Sequence, residues 1–257
     1  MVQSLKLSMQ ETTVLSNLKI KGFSEINLDP KLLAELELYS LDKIPRAEKI
    51  KVQSSAKTKD FLIRLSDEDL VNHNLTTESP MVQLALSESL LKVAATYLKH
   101  APFLAYVIIA LSIFREEDPK SSQLWHKDYD DTVVLKLFVY LTDVNSTADG
   151  PFTFVDAVGS AQVNNSFINR HLADKEFKRY VADADLIQMI KPKLSCLLVD
   201  TSRCYHMGSR LAPGHQRLML TALYTSLPSN YPNGGVEHIE INPAFQPSPL
   251  QRAALRI

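Results

Sequence analysis

Two cysteines among 257 residues, Cys196 and Cys204, are too few for a disulfide framework. An excess of one charge is also missing. The chain carries 28 Lys and Arg against 29 Asp and Glu, a net charge of −1, which argues against the basic field of a nucleic-acid binder. No apolar run approaches the roughly 20 residues that span a bilayer. The best candidate, residues 101–114, reads as a buried strand. The first ten residues lack the apolar centre of a secretory leader, and no repeat or low-complexity tract is present. What remains is an ordinary globular composition, 45% hydrophobic and 22% charged. The expectation is a cytoplasmic protein with a small-molecule partner, using neither nucleic acid nor membrane; oligomeric state is not readable.

The chain contains strong strand signals. Leu104 to Phe114 is a run of apolar β-formers, and Val133 to Leu141 is a second, rich in branched and aromatic residues. Asp149-Gly150-Pro151 marks a turn before a short strand, Phe152 to Val155. Leu194 to Asp200 and Arg217 to Tyr224 supply two more. Helical signals lie outside this block. Pro30 to Tyr39 follows Asp29 as a cap, Ser79-Pro80 opens an amphipathic helix that ends near Pro102, and Asp174 to Val181 reads as a third. Strands inside and helices outside give a mainly β fold, a double-stranded β-helix (jelly roll) braced by helices on one face. One domain is expected over residues 1–257: a mostly helical support in 1–100, a core barrel in 101–226 and a tail or lid in 227–257. The basic segment Lys43 to Lys59 reads as a solvated loop.

Chemistry concentrates at His126-Lys127-Asp128. Ligands at i and i+2 share one face of a strand, because side chains alternate with period 2. A third ligand from a distant strand, His206, would complete a 2-His-1-carboxylate facial triad that leaves half of an Fe(II) coordination sphere open. A hairpin from Gly208 to Gly214 would return Arg217 beside His206, where its planar guanidinium suits a carboxylate. The plain alternatives are a chance His-x-Asp in a chain with seven histidines, a structural His206, and an Arg217 paired with Asp200. Cys204 reads as a small buried hydrophobe.

Taken together, Trp125-His126-Lys127-Asp128, Tyr140 to Val144, Asp149-Gly150-Pro151-Phe152, His206-Met207-Gly208 and Arg217 resemble the phytanoyl-CoA dioxygenase (PhyH-like) branch of the Fe(II)/2-oxoglutarate oxygenases. The resemblance covers residues 100–226, and Gly22-Phe23 is similar to the family's entry strand. It implies that His126, Asp128 and His206 hold Fe(II), that Arg217 binds the distal carboxylate of 2-oxoglutarate, and that O₂ is the oxidant. Gly208 stands where many relatives carry a cosubstrate-binding Ser, leaving neighbouring Ser209 as the candidate. Lys136 alternates with apolar positions and faces either the cosubstrate pocket or solvent. Gln123 and Arg115 flank the loop before the triad as candidate contacts to substrate or to the C1 carboxylate. Trp125, Tyr129 and Tyr205 are candidate pocket walls. The presence of Asp128 favours hydroxylation of an unactivated C–H in an amino acid or specialised metabolite, with release of succinate and CO₂. Alternatives are desaturation, cyclisation or epimerisation at the same site, or a non-catalytic jelly-roll binding protein.

Overall fold

Side-chain alternation along the central strands creates two faces that meet different partners. The computed structural model describes residues 5–45, 61–64, 75–129, 131–164, 170–226 and 239–257. Its strands are β1 (Phe23–Glu25), β2 (Leu62–Arg64), β3 (Leu75–Thr76), β4 (Pro102–Ile113), β5 (Trp125–His126), β6 (Leu135–Tyr140) and β7 (Thr153–Phe154). These are followed by β8 (His171–Leu172), β9 (Ile187–Gln188), β10 (Cys196–Asp200), β11 (His206–Met207), β12 (Gln216–Ser226) and β13 (Ile239–Glu240). A major sheet runs in the order β1-β10-β6-β12-β4-β2, a minor sheet in the order β8-β5-β11-β7-β9, and β13 pairs with β3 in parallel. The two larger sheets enclose a shared interior, so the core is the expected jelly roll.

In β6, Leu135, Leu137 and Val139 join the large apolar cluster on the outer face, whereas Phe138 and Tyr140 point inward. Strand β10 repeats the pattern, with Cys196 and Leu198 outward and Leu197 and Val199 inward. Phe152, Phe154 and Met189 meet these inward side chains from the minor sheet. Each fully buried side chain of this kind contributes about 1.5–3 kcal/mol.

The outer face of the major sheet is covered by helices. They are α1 (Met9–Lys21), α2 (Pro30–Ser40), α3 (Pro80–Ala85) and α4 (Glu88–Leu98), with one-turn α5 (Ala157–Ser160) and α6 (Asp174–Phe177) elsewhere and α7 (Pro249–Leu255) at the end. The single helix expected after Ser79 is two helices: Leu86 leaves helical geometry at φ −94°, ψ 9°, and Ser87 starts the next. The helix expected over Asp174 to Val181 stops after one turn at Phe177. Helix α1 has no counterpart in the sequence reading, although Ser8 and Glu11 form a reciprocal capping box at its start. The tail helix α7 packs on α4 and β4 through Leu250 and Ala254, on the side away from the inward-facing side chains. Most of the Lys43–Lys59 segment, together with His73 and His238, lies outside the described residues. Among the described residues no helix is long and apolar enough to cross a membrane.

A polar network ties the helices to the strand that carries His206. Arg203 donates to the carbonyls of Leu18 (3.2 Å) and Lys19 (3.3 Å) at the end of α1, and to Tyr97 Oη (3.0 Å) on α4. Tyr97 in turn donates to the fully buried Asp200 carboxylate at 2.5 Å. Gly22 ends α1 in the left-handed region at φ 79°, and a Cβ there would sit 2.6 Å from Cys204 Sγ. Gly214 has the same φ of 79° but open space around it. Gly22→Ala is therefore expected to cost about 3 kcal/mol from strain plus overpacking, and Gly214→Ala about 1 kcal/mol from strain alone. Urea titration of both variants checks this; equal losses would show that the Cys204 contact relaxes freely.

Candidate active site

Strand β11 lies between β5 and β7, with His206 directly opposite His126 on one side and Phe154 on the other. Paired residues project to the same face of a sheet, and the two imidazole centroids are 4.3 Å apart. Asp128 lies beyond the end of β5, where its N–H donates to Thr201 O at 2.9 Å. Its carboxylate comes to 3.9 Å from His126 Nε2 and 3.7 Å from His206 Nε2. One ligand atom from each of the three residues lies within 4.8 Å of the other two.

The backbone sets the protonation of both rings. His126 Nδ1 is 2.8 Å from Leu124 O and His206 Nδ1 is 3.0 Å from Cys204 O. A carbonyl only accepts, so each Nδ1 carries the hydrogen and each Nε2 presents a lone pair into the cluster. Burial pushes the His126 pKa down to about 3, and the facing His206 adds to the effect. For Asp128, burial acts upward, but Lys136, His206 and His126 outweigh it and hold the carboxyl well below the usual carboxylate range. Two neutral imidazoles and one carboxylate, buried and converging, are the donor set of a divalent-metal facial site. The donors fit Fe(II).

Lys136 projects inward from β6, and its ammonium donates to Asp128 Oδ2 at 2.6 Å. Arg217 projects inward from β12 near the other end of the sheet. It donates to Gly150 O, stands 5.6 Å from the Tyr140 ring and also hydrogen-bonds Tyr140. Burial pushes its pKa down, its Nε has no partner, and among the described residues it makes no ion pair. Asp200, its alternative partner from sequence, is occupied by Tyr97 and Ser202. A buried guanidinium without an acid is costly, and an anionic ligand relieves that cost. Phe152 links this end to the metal cluster: its N–H donates to Tyr140 Oη at 2.9 Å, and its ring lies 5.7 Å from that of His206.

The hairpin expected between His206 and Arg217 is not formed. Strand β11 belongs to the minor sheet and β12 to the major one, so residues 208–215 cross between sheets and Arg217 arrives from the opposite wall. Gln123 serves this crossing: its amide donates to Ser209 O at 3.0 Å, and its carbonyl accepts from Arg210 Nε at 2.9 Å and from Nη2 at 2.6 Å. Ser209 is buried against Gly150, whose carbonyl holds Arg217. Gly208 admits no side chain, because an added Cβ would lie 2.9 Å from Ser122 O.

A cleft of about 370 Å³ opens over the metal cluster, with Tyr106, Ser121, Ser122, Tyr129 and His171 among its lining. Tyr129 is thus a wall, as expected. Trp125 and Tyr205 are not. Each neighbours a ligand in sequence and so faces the other side, where Trp125 stacks on Phe177 at 4.1 Å and donates to Asp174. Period-2 alternation alone would have given that result. His171, read as structural, pairs with His126 across β5 and β8, with ring centroids 5.2 Å apart. Nothing in the sequence signals this pairing.

No family model matches the chain, and no curated protein matches it. Among solved structures it is similar to the non-heme alpha ketoglutarate dependent epimerase SnoN from nogalamycin biosynthesis, with TM-score 0.60 and 18% identity over 88% of this chain and 87% of that one. It is similar to HygX from Streptomyces hygroscopicus, solved with nickel, 2-oxoglutarate and hygromycin B, with TM-score 0.56 and 14% identity over 84% and 87% of the two chains. EctD from S. alaskensis, with 2-oxoglutarate and 5-hydroxyectoine, gives TM-score 0.56 and 12% identity over 88% and 80%. These likenesses establish the fold. They support the broader group of 2-oxoglutarate-dependent enzymes without singling out the phytanoyl-CoA dioxygenase branch.

The depressed His126 pKa has a consequence for stability. The unfolded chain binds a proton at this imidazole below its ordinary value of 6.5, whereas the folded chain excludes it until about 3. Stability is therefore lost as pH falls through this window, and the low Asp128 pKa acts in the same direction. The metal-free protein is expected to lose about 2–3 kcal/mol through His126 between pH 6.5 and 4.5. Urea midpoints across that range should show a shallower slope for His126→Gln; an unchanged slope would refute the assignment.

Proposed function

We propose that this chain is an Fe(II)/2-oxoglutarate-dependent dioxygenase that hydroxylates an unactivated C–H of a small molecule. The convergence of His126, Asp128 and His206 in a buried cluster with both Nε2 lone pairs free is the observation that carries the reading. The partnerless buried Nε of Arg217 supports it at the cosubstrate end.

In this reading the two histidines and Asp128 hold iron through one face, leaving the other for exchangeable ligands. When bound, iron with 2-oxoglutarate and O₂ supplies the oxidant that removes a hydrogen from the substrate, yielding succinate and CO₂. The remaining work belongs to the protein. Arg217, fixed by Gly150 O and Tyr140, receives the distal carboxylate of the 2-oxo acid, and Ser209 lines that end. Lys136 holds one carboxylate oxygen of Asp128 and keeps the ligand oriented, a positioning role on the substrate side of the site. Gln123 acts indirectly, by bracing the backbone of residues 209–210. The aromatic rings of Phe152, Phe138 and Phe154 exclude water from the interior between the two anchors.

The test is anaerobic addition of Fe(II) and 2-oxoglutarate. Wild type is expected to develop the weak visible charge-transfer band of the chelate, and His206→Ala to lose it. Arg217→Ala is expected to retain iron while weakening 2-oxoglutarate by about a hundredfold, through the lost bidentate contact. A folded wild-type protein without the band would overturn the proposal. Once a substrate is found, product mass separates hydroxylation, which adds one oxygen, from epimerisation, which changes nothing, and from cyclisation or desaturation, which removes two hydrogens.

A further inference from the structure

The cleft above the metal cluster has an unusual lining for a site that oxidises carbon. Among its described residues there is no aliphatic side chain, and the one carboxylate, Asp128, is held by Lys136. Lys127 turns its ammonium away, 4.9 Å over the Tyr205 ring on the far side of the strand. Two guanidinium groups remain, those of Arg64 and Arg170.

Their placement follows from sheet topology. Arg64 ends β2, the edge strand of the major sheet, opposite Ala110 of β4. Arg170 immediately precedes β8, the edge strand of the minor sheet, whose His171 pairs with His126. The two sheets thus each offer one arginine from the edge that borders the same cleft. Arg64 is exposed and makes no ion pair among the described residues. Arg170 stacks 5.3 Å over the ring of Tyr129, itself a cleft residue. An ammonium would supply a point charge at either position, whereas a guanidinium presents a planar fork matched to an oxyanion.

We propose that Arg64 and Arg170 form an anion clamp at the mouth of the cleft, so that the substrate is a small polar molecule bearing a carboxylate or phosphate. The assignment rests on the iron and 2-oxoglutarate reading above. With both bound, the two charges of Fe(II) are balanced by the two carboxylates of the cosubstrate, and Asp128 is balanced by Lys136. The mouth then keeps an uncompensated positive field that draws in an anionic substrate and orients it with its uncharged end toward the metal. Anchoring at the charged end leaves the C–H to be oxidised remote from the anion, which is the geometry the reaction needs.

Isothermal titration of the protein with saturating 2-oxoglutarate, with and without Fe(II) under anaerobic conditions, tests this directly. The probes are inorganic phosphate, N-acetylglycine and its uncharged analogue N-acetylglycinamide. At least one of the two anions is expected to bind while the amide does not, and their ranking separates a phosphate from a carboxylate substrate. Arg64→Gln and Arg170→Gln are each expected to weaken that anion by about tenfold, with the Fe(II)-2-oxoglutarate band unchanged. Binding of neither anion, equal binding of the amide, or full affinity in either variant overturns the clamp. Because the metal-free titration does not use the band, loss of the iron site and loss of the clamp give different results.

Discussion

The pairing of His206 with His126 is the constraint on which the site depends. Strands β5 and β11 are only two residues long, so few backbone hydrogen bonds hold the register. A slip of one residue would turn an imidazole out of the cluster. The surroundings supply what the short ladder lacks. Ser160 Oγ accepts the N–H of Tyr205 at 2.8 Å, and Arg210 grips Asp174 with contacts of 2.6 and 2.9 Å while Trp125 donates to the same carboxylate. Asp174 therefore joins β5 to the crossing that follows β11. The Arg203–Tyr97–Asp200 network fixes the turn before β11 against two helices. Much of the packing around the minor sheet acts to keep two Nε2 atoms facing each other.

Charge is arranged along the same interior axis. At the metal end, two imidazoles held neutral meet one carboxylate, and Lys136 balances that carboxylate from the opposite sheet. At the far end, Arg217 stands buried without an acid, which folding alone gives no reason to retain. Between them the walls are phenyl rings. A dianion with one chelating end and one plain carboxylate matches this distribution, and the separation of the ends sets its length. The same reasoning relocates Lys136. Its contact with Asp128 places it on the metal side, so the cosubstrate clamp falls to Arg217 with Ser209 beside Gly150.

How far the sequence could be read follows from the range of each interaction. The major strands were legible because alternation in β6, β10 and β12 is local and strong. The triad was legible because His126-x-Asp128 is a local pattern and His206 follows a clear strand. Helix α1 was missed because its buried stripe, Glu11, Val14, Leu15 and Leu18, includes a carboxylate and is narrow. The break at Leu86 was missed because the apolar spacing continues through it. The crossing from β11 to β12 was taken for a hairpin because a turn of that length suits either, and only the pairing of β12 with β4 and β6 decides between them. Gln123 looked like a ligand contact from its position, yet an amide beside an irregular crossing has backbone groups to satisfy first. The departure at Gly208 carries the same lesson: Ser122 O approaches too closely for a side chain, a contact across a long sequence separation.

Residues that define chemistry and residues that define selectivity occupy different parts of the fold for a physical reason. The triad and Arg217 lie on interior strands, where burial lowers imidazole basicity, excludes water and fixes geometry. Arg64, Arg170, His171 and Tyr129 lie on edge strands or just beyond strand ends, where backbone pairing is satisfied on one side only and substitution disturbs little packing. A jelly roll can therefore exchange the chemistry of its mouth while the metal cluster keeps its pairing. The similarity to SnoN, HygX and EctD at 12–18% identity is a likeness of scaffold, and a scaffold of this kind leaves the substrate to its edges. In this chain those edges are cationic, and that charge, more than the triad, separates the substrates it can hold from those it cannot.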